Sequence, residues 1–370
     1  MATTPSTRKS RARARAATQH LPALHVVAIG GGTGLSTLLR GLKRYVAAPG
    51  LSTPADSKCK DAPCLIADLA AIVTVSDDGG SSGRLRSDMK MLPPGDIRNC
   101  MVALSEDEHL LSKLFQYRFD AGEGLEGHSF GNLFVAALSA ITGDFAQAVQ
   151  MSSQILATRG KIYPATNSNV TLAAQMDDGS IVHGETNITA SRQRITELML
   201  EPEDAVPMPE TLEAIAHADI ITVGPGSLYT SLITNLLVSG IPEALRATHG
   251  TRIYVCNLMT QANESIGLTA SQHIEKIFDH AGGRIFDYAL VNTSPVSPTL
   301  HERYAAGGQQ QIEADMERIE ALGVKAIAGN FVHEGDVLRH DYDRVTEKIL
   351  ELGLADYKVR DKIFYKPHSA

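Results

Sequence analysis

The stretch "LHVVAIGGGTGLSTLLRGLKRY", Leu24 to Tyr45, limits the fold more than any other part of the chain. Leu24 to Ile29 reads as a short buried strand. Four glycines follow within five residues: Gly30, Gly31, Gly32 and Gly34, with Thr33 among them. The segment from Thr33 to Val46 then sets Leu35, Leu38, Leu39 and Leu42 on one helical face. A strand that feeds a helix through glycines is the opening unit of a parallel α/β sheet. It also aims backbone amides and the positive end of a helix dipole at one spot, which suits an anion. A plain tight turn needs fewer glycines.

The text of the loop matches neither common nucleotide motif. A G-x-G-x-x-G that starts at Gly30 puts Leu35 at its third glycine, and one that starts at Gly32 puts Thr37 there. No G-K-[ST] follows, so a Walker loop is absent, and an NAD-dependent oxidoreductase ranks last. A second unit, "ITVGPGSLYTSL", repeats the pattern of strand, small-residue loop and helix, with Gly224, Gly226 and Ser227 at the helix start. In an open parallel sheet such loops gather at the carboxyl ends of strands. Two of them suit a ligand with an extended phosphate–sugar body; the second loop alone is equally well a structural turn.

Other segments carry chemistry too. A second strand ends in "VTVSDDGGSSGRLR", read as a loop. There Asp77 and Asp78 could hold ribose hydroxyls or a divalent cation, Ser81 and Ser82 an anion, and Arg84 and Arg86 could add charge. A solvated loop in which Asp caps its own turn is the plainer alternative. In "LPPGDIRNCM", Asp96 reads as a helix cap. In "EGHSFGNL", His128, Ser129 and Asn132 sit at another helix start, and His128 reads as a structural hydrogen-bonding group. No nucleophilic Ser–His–Asp or Cys–His set can be assigned. Residues 161–200 alternate and place Asp178-Gly179 at a hairpin turn, so they read as a small antiparallel insertion. Strand–helix alternation resumes at "DIITVG", "RIYVCNL", "YALVNT" and "KAIAGN", and a last helix covers Asp343 to Leu352. The expected fold class is α/β with a mostly parallel sheet.

The charge balance removes one class of partner. The 370-residue chain carries −8 overall, and residues 1–20 hold five basic and no acidic side chains, which leaves −13 on the remainder. A polyanion favours a basic face, so nucleic acid is excluded as a general partner. Residues 1–22 read as a disordered basic tail, with an organelle transit peptide as the alternative, and 23–370 as one nucleotide-binding domain. With no apolar run long enough to span a bilayer, a soluble cytoplasmic protein is expected. Cys59 and Cys64 are spaced unlike a zinc pair, so all four cysteines read as reduced thiols.

Five motifs occur in order: "AIGGGTGLSTLLRGLK", "IVTVSDDGGSSGRLR", "LPPGDIRNCMVALS", "GHSFGNLFVAAL" and "GPGSLYTSLITNLLVSGIPEAL". Together, over about residues 24–353, they closely resemble the bacterial gluconeogenesis factor family. That family is grouped with the 2-phospho-L-lactate transferases of the deazaflavin cofactor pathway. The resemblance implies a Rossmann-like three-layer sandwich with a nucleotide site at the strand ends. It implies a UDP-sugar ligand, no required cofactor, self-association, and a regulatory role in growth on gluconeogenic carbon sources and in cell shape, with cell-wall synthesis proteins as partners. In the transferase relatives it implies a metal-dependent reaction on a nucleotide-activated donor, with Mg2+ near an acidic pair that corresponds in character to Asp77 and Asp78. It makes Gly30 to Gly34 and Gly224 to Ser227 the frame of the nucleotide. Arg339, in "VLRHDYDRV", becomes a candidate for the sugar or phosphates. Tyr342 stands where relatives can carry threonine, so regulation by phosphorylation of that threonine does not carry over.

Overall fold

The computed structural model describes residues 23–47, 58–59, 62–106, 110–191, 193–262 and 264–364. The expectation for residues 1–22 lies outside them. In chain order the strands are β1 (Leu24–Gly30), β2 (Lys58–Cys59), β3 (Ala62–Pro63), β4 (Ile66–Val73), β5 (Lys161–Pro164), β6 (Thr171–Met176), β7 (Ile181–His183), β8 (Ile195–Glu201), β9 (Ile220–Val223), β10 (Thr251–Val255), β11 (Tyr288–Asn292), β12 (Lys325–Gly329), β13 (Val332–Glu334) and β14 (Leu338–His340).

Seven of these form one sheet in the order β12-β11-β10-β9-β1-β4-β5, and every pair in it is parallel. The central strands read as continuous apolar runs because both faces are covered. Val26, Ala28, Ile29, Ile72, Ile220 and Ile253 are all buried. After β1 the chain builds outward through β4 to β5, then returns to the other side of β1 with β9. The direction of winding therefore reverses between β1 and β9, and a crevice opens beyond the carboxyl ends of strands that flank such a reversal.

Helices cover the sheet. Those that matter for the crevice are α1 (Gly32–Lys43), α2 (Gly80–Met89), α3 (Gly95–Leu104), α4 (Phe130–Thr142) and α5 (Glu185–Ala190), then a π-helical segment at Leu228–Ile233, α6 (Pro298–Ala305) and α7 (Tyr342–Phe364). The leucines expected on one face of α1 are fully buried. Among the described residues no helix is long and apolar enough to cross a membrane.

Four expectations are corrected. The segment after Asp78 is helical from Gly80 to Met89, not a loop; its small polar residues hide the helical period. Residues 161–164 join the parallel sheet as β5, so the antiparallel insertion is only β7-β6-β8, with the Asp178-Gly179 turn between β6 and β7. The last helix runs from Tyr342 to Phe364, well beyond Leu352. Cys59 and Cys64 are joined in a disulfide, because the β2–β3 hairpin brings their Cα atoms to 5.2 Å; Cys100 and Cys256 are free and buried.

Candidate functional site

The two glycine loops leave β1 and β9, the strands on either side of the reversal, and they touch. A Cβ built on Gly34 would lie 2.3 Å from the carbonyl oxygen of Pro225, so only glycine lets the loops pack this closely. Asn257, just beyond β10, holds the second loop from the other side. Its Oδ1 accepts from Gly226 N–H (3.2 Å) and its Nδ2 donates to Gly226 O (2.7 Å). Gln261 Nε2 donates to Ser227 Oγ (2.9 Å).

A cavity of about 370 Å³ lies over these loops. Its floor is Gly31 to Gly34 and Pro225 to Ser227; Asn257 to Gln261 form one wall, and the β13–β14 hairpin closes the far side with Leu338, Arg339 and His340. Arg339 is exposed and is the one formally charged side chain in the lining. His340 is neutral there: burial pushes its pKa down to about 4, and Nε2 donates to Cys256 O (3.0 Å). The lining of the cavity thus carries a single formal charge, and it is positive, on an acidic protein. The hairpin rests on a small separate cluster of Leu258, Met259, Val296 and Leu300. It is tied to α6 by Leu338 N–H donating to the Tyr304 hydroxyl (3.0 Å).

Of the sequence candidates, Gly31, Gly32, Thr33, Gly34, Gly226, Ser227 and Arg339 line this cavity. Gly30 is the last residue of β1, and its carbonyl accepts from Thr74 N–H (3.1 Å). Gly224 precedes the loop at φ +87°. Thr33 does not cap α1; the N-cap is Gly31, so the Thr33 side chain is left to the cavity.

The remaining candidates are not in the cavity lining, and most of them have a structural partner. Asp77 Oδ1 accepts from Gly79 N–H (2.9 Å), a turn of the kind Asp makes by itself. Asp78 Oδ1 accepts from Thr186 N–H (2.8 Å) and Thr186 Oγ1 (2.6 Å), which fastens the antiparallel insertion to the strand end. Ser81 Oγ pairs with His128 Nδ1 (3.0 Å) and accepts from Asn132 Nδ2 (3.1 Å), a buried network that joins the starts of α2 and α4. Ser82 lies against Gly95, where an added Cβ would meet its Oγ at 2.5 Å.

Two carboxylates with key positions were read otherwise or overlooked. Asp96 does not cap its own helix, whose N-cap is Pro94. It reaches across to α1, where Oδ2 accepts from Gly32 N–H (2.7 Å). Glu264 does the same at the second loop: Oε2 accepts from Tyr229 N–H (3.0 Å) and Oε1 from Thr230 Oγ1 (3.0 Å), at the start of the π-helical segment. No short-range spacing could show either contact, because they link residues 64 and 35 positions apart.

Acidic groups converge below the first loop. Burial, then Asp77, pushes Asp96 up to about 6; burial, then Asp77 and Asp96, pushes Glu185 on α5 up to about 8. The folded pKa of Glu185 lies above its usual 4.5, so the folded state holds the proton over that window and stability falls as pH rises from about 4.5 to 8. Glu185→Gln keeps an acceptor for Ser76 Oγ. It should stabilise the protein by on the order of 3 kcal/mol at pH 9 and by little at pH 4.5. Urea midpoints at the two pH values check this; equal effects at both would refute the buried charge.

The profile of the 2-phospho-L-lactate transferase CofD family matches residues 26–332. The gluconeogenesis factor of Halalkalibacterium halodurans is 47% identical over 328 residues, covering 88% of this chain and 96% of its own length. That of Bacillus subtilis is 43% identical, covering 88% and 97%. A crystal structure of a Bacillus halodurans protein, 47% identical, superposes with a TM-score of 0.82 over 89% of this chain and 99% of its own. Seven parallel strands wound about one reversal, the glycine loops beside it and these matches agree: the chain belongs to the 2-phospho-L-lactate transferase CofD family, alongside the gluconeogenesis factors.

Proposed function

We propose that the chain is a regulatory protein that binds a UDP-sugar in the cavity between the two glycine loops. One observation carries the reading: both loops and Arg339, far apart in sequence, bound a single cavity whose one formal charge is positive. The diphosphate lies against the first turn of α1 and Arg339, where the positive end of a helix and a guanidinium suit phosphate oxygens. Asn257, Gln261 and the Ser227 hydroxyl face the sugar or ribose. The regulatory role in growth under gluconeogenic conditions, the link to cell shape and cell-wall synthesis proteins, and self-association rest on the family resemblance. Isothermal titration with UDP-N-acetylglucosamine tests the reading. Saturable heat supports it, and no heat from folded protein at high micromolar ligand refutes it.

A second reading, a metal-dependent transferase, draws on Asp77 and Asp96. They stand close enough for Asp77 to raise Asp96. Among the described residues no three His, Cys, Asp or Glu side chains form a metal-binding group. Two carboxylates still fit Mg2+, a hard cation that takes its other oxygens from substrate phosphates and water. Bound there, the ion would offset charge on a transferring group. Turnover of a nucleotide-activated donor with magnesium, lost in Asp77→Asn, would favour this reading over pure binding.

A further inference from the structure

The Gly32 amide is already taken by an anion that belongs to the protein. Asp96 Oδ2 accepts its N–H at 2.7 Å, across 64 residues of sequence. A carboxylate at the first turn of a helix offsets the same partial charge that a phosphate there would offset. Asp77 faces Asp96 with like charge, Glu185 beside them holds its proton up to about pH 8, and Arg98 and Asn99 are the counterparts of Asp96 on α3. The opposite flank of the cavity carries the single guanidinium of Arg339. A ligand phosphate therefore enters between a resident negative charge and one positive charge.

Resting on the UDP-sugar reading, we infer that Asp96 is a charge filter that selects diphosphates esterified at both ends over those with a free terminal phosphate. The repulsion it exerts grows with the charge of the incoming group. A terminal phosphate loses its second proton at about pH 6, so above that pH a free nucleoside diphosphate carries one more negative charge than the same diphosphate capped by a sugar. The sugar-capped ligand meets less repulsion and keeps its polar contacts along Asn257 and Gln261. The free diphosphate pays the larger repulsion with fewer contacts. Without the Asp96 charge, the more highly charged ligand is relieved of more repulsion, so the preference for the sugar-capped one narrows.

Asp96→Asn tests this. The amide oxygen can still accept from Gly32 N–H, so the loop keeps its geometry and loses only the charge. Titrations with UDP and with UDP-N-acetylglucosamine are run at pH 8 in EDTA, which leaves Asp96 ionised and removes cations that would mask it. The wild type is expected to bind the sugar nucleotide more tightly than UDP. In Asp96→Asn, UDP should tighten about tenfold and the sugar nucleotide clearly less, so the preference shrinks at least threefold. Asp96→Ser, a smaller neutral side chain, should shift the preference the same way, and it serves if the asparagine variant unfolds. A preference unchanged within twofold in a folded neutral variant, or weaker binding of both ligands, overturns the filter and leaves the site reading standing. If the wild type binds neither nucleotide, the site reading falls, and the filter with it.

Discussion

Gly34→Val should lose at least about 3 kcal/mol of stability and separate the two glycine loops. The new Cβ would sit 2.3 Å from Pro225 O and 2.8 Å from its carbonyl carbon. Both are backbone atoms of a loop fixed by Asn257 on its other side, so neither can yield cheaply. Gly32→Ala is the informative contrast. A Cβ there has no neighbour closer than Ser231 Oγ at 3.9 Å, but Gly32 has φ +63°, and that conformation costs an alanine only about 1 kcal/mol. A valine at 32 would be strained for the same backbone reason, so it is a poor test of ligand approach. Urea denaturation of Gly34→Val and Gly32→Ala side by side checks the ranking; similar midpoints for the two variants would show that the loops do not depend on their close contact.

Arg339→Ala should weaken UDP-N-acetylglucosamine by about 10- to 100-fold and leave thermal stability nearly unchanged. Hydrogen bonds from a charged donor to phosphate contribute roughly 1.5–3 kcal/mol, and each 1.4 kcal/mol is about tenfold in affinity. The side chain is exposed on β14, so its removal costs the fold little. Arg339→Lys should recover part of the loss, because lysine keeps the charge but not the fork of donors. A normal affinity in Arg339→Ala, measured by titration, would place the phosphates elsewhere.

The parts of this protein that repeat a short-range pattern were legible in its sequence. The apolar runs of β1, β9, β10 and β11, the leucine face of α1 and both glycine loops follow from period and composition, and so does the parallel α/β class. What tertiary distance decides was not. Asp96 reads as a cap for the helix it begins, and only the fold carries it to Gly32. Asp78 reads as a ligand for ribose or metal, and no spacing shows that its carboxylate also holds Thr186 on the insertion. The stretch Gly80–Met89 looks like a loop because its helix is built from Gly, Ser and Arg rather than from an apolar stripe. The Cys59–Cys64 pairing depends on the antiparallel pairing of β2 with β3, which no periodicity marks. Arg339 entered through the family motif; nothing in the hairpin's own residues shows that it closes a cavity 300 residues downstream of the first loop.

Hydrogen exchange read by mass spectrometry, with and without saturating UDP-N-acetylglucosamine, tests the placement of the ligand most directly. Slowed exchange is expected in the segments that bound the cavity, residues 31–34, 225–231 and 338–342. Protection confined to residues 77–82 and 128–132, with those three segments unchanged, would contradict the account.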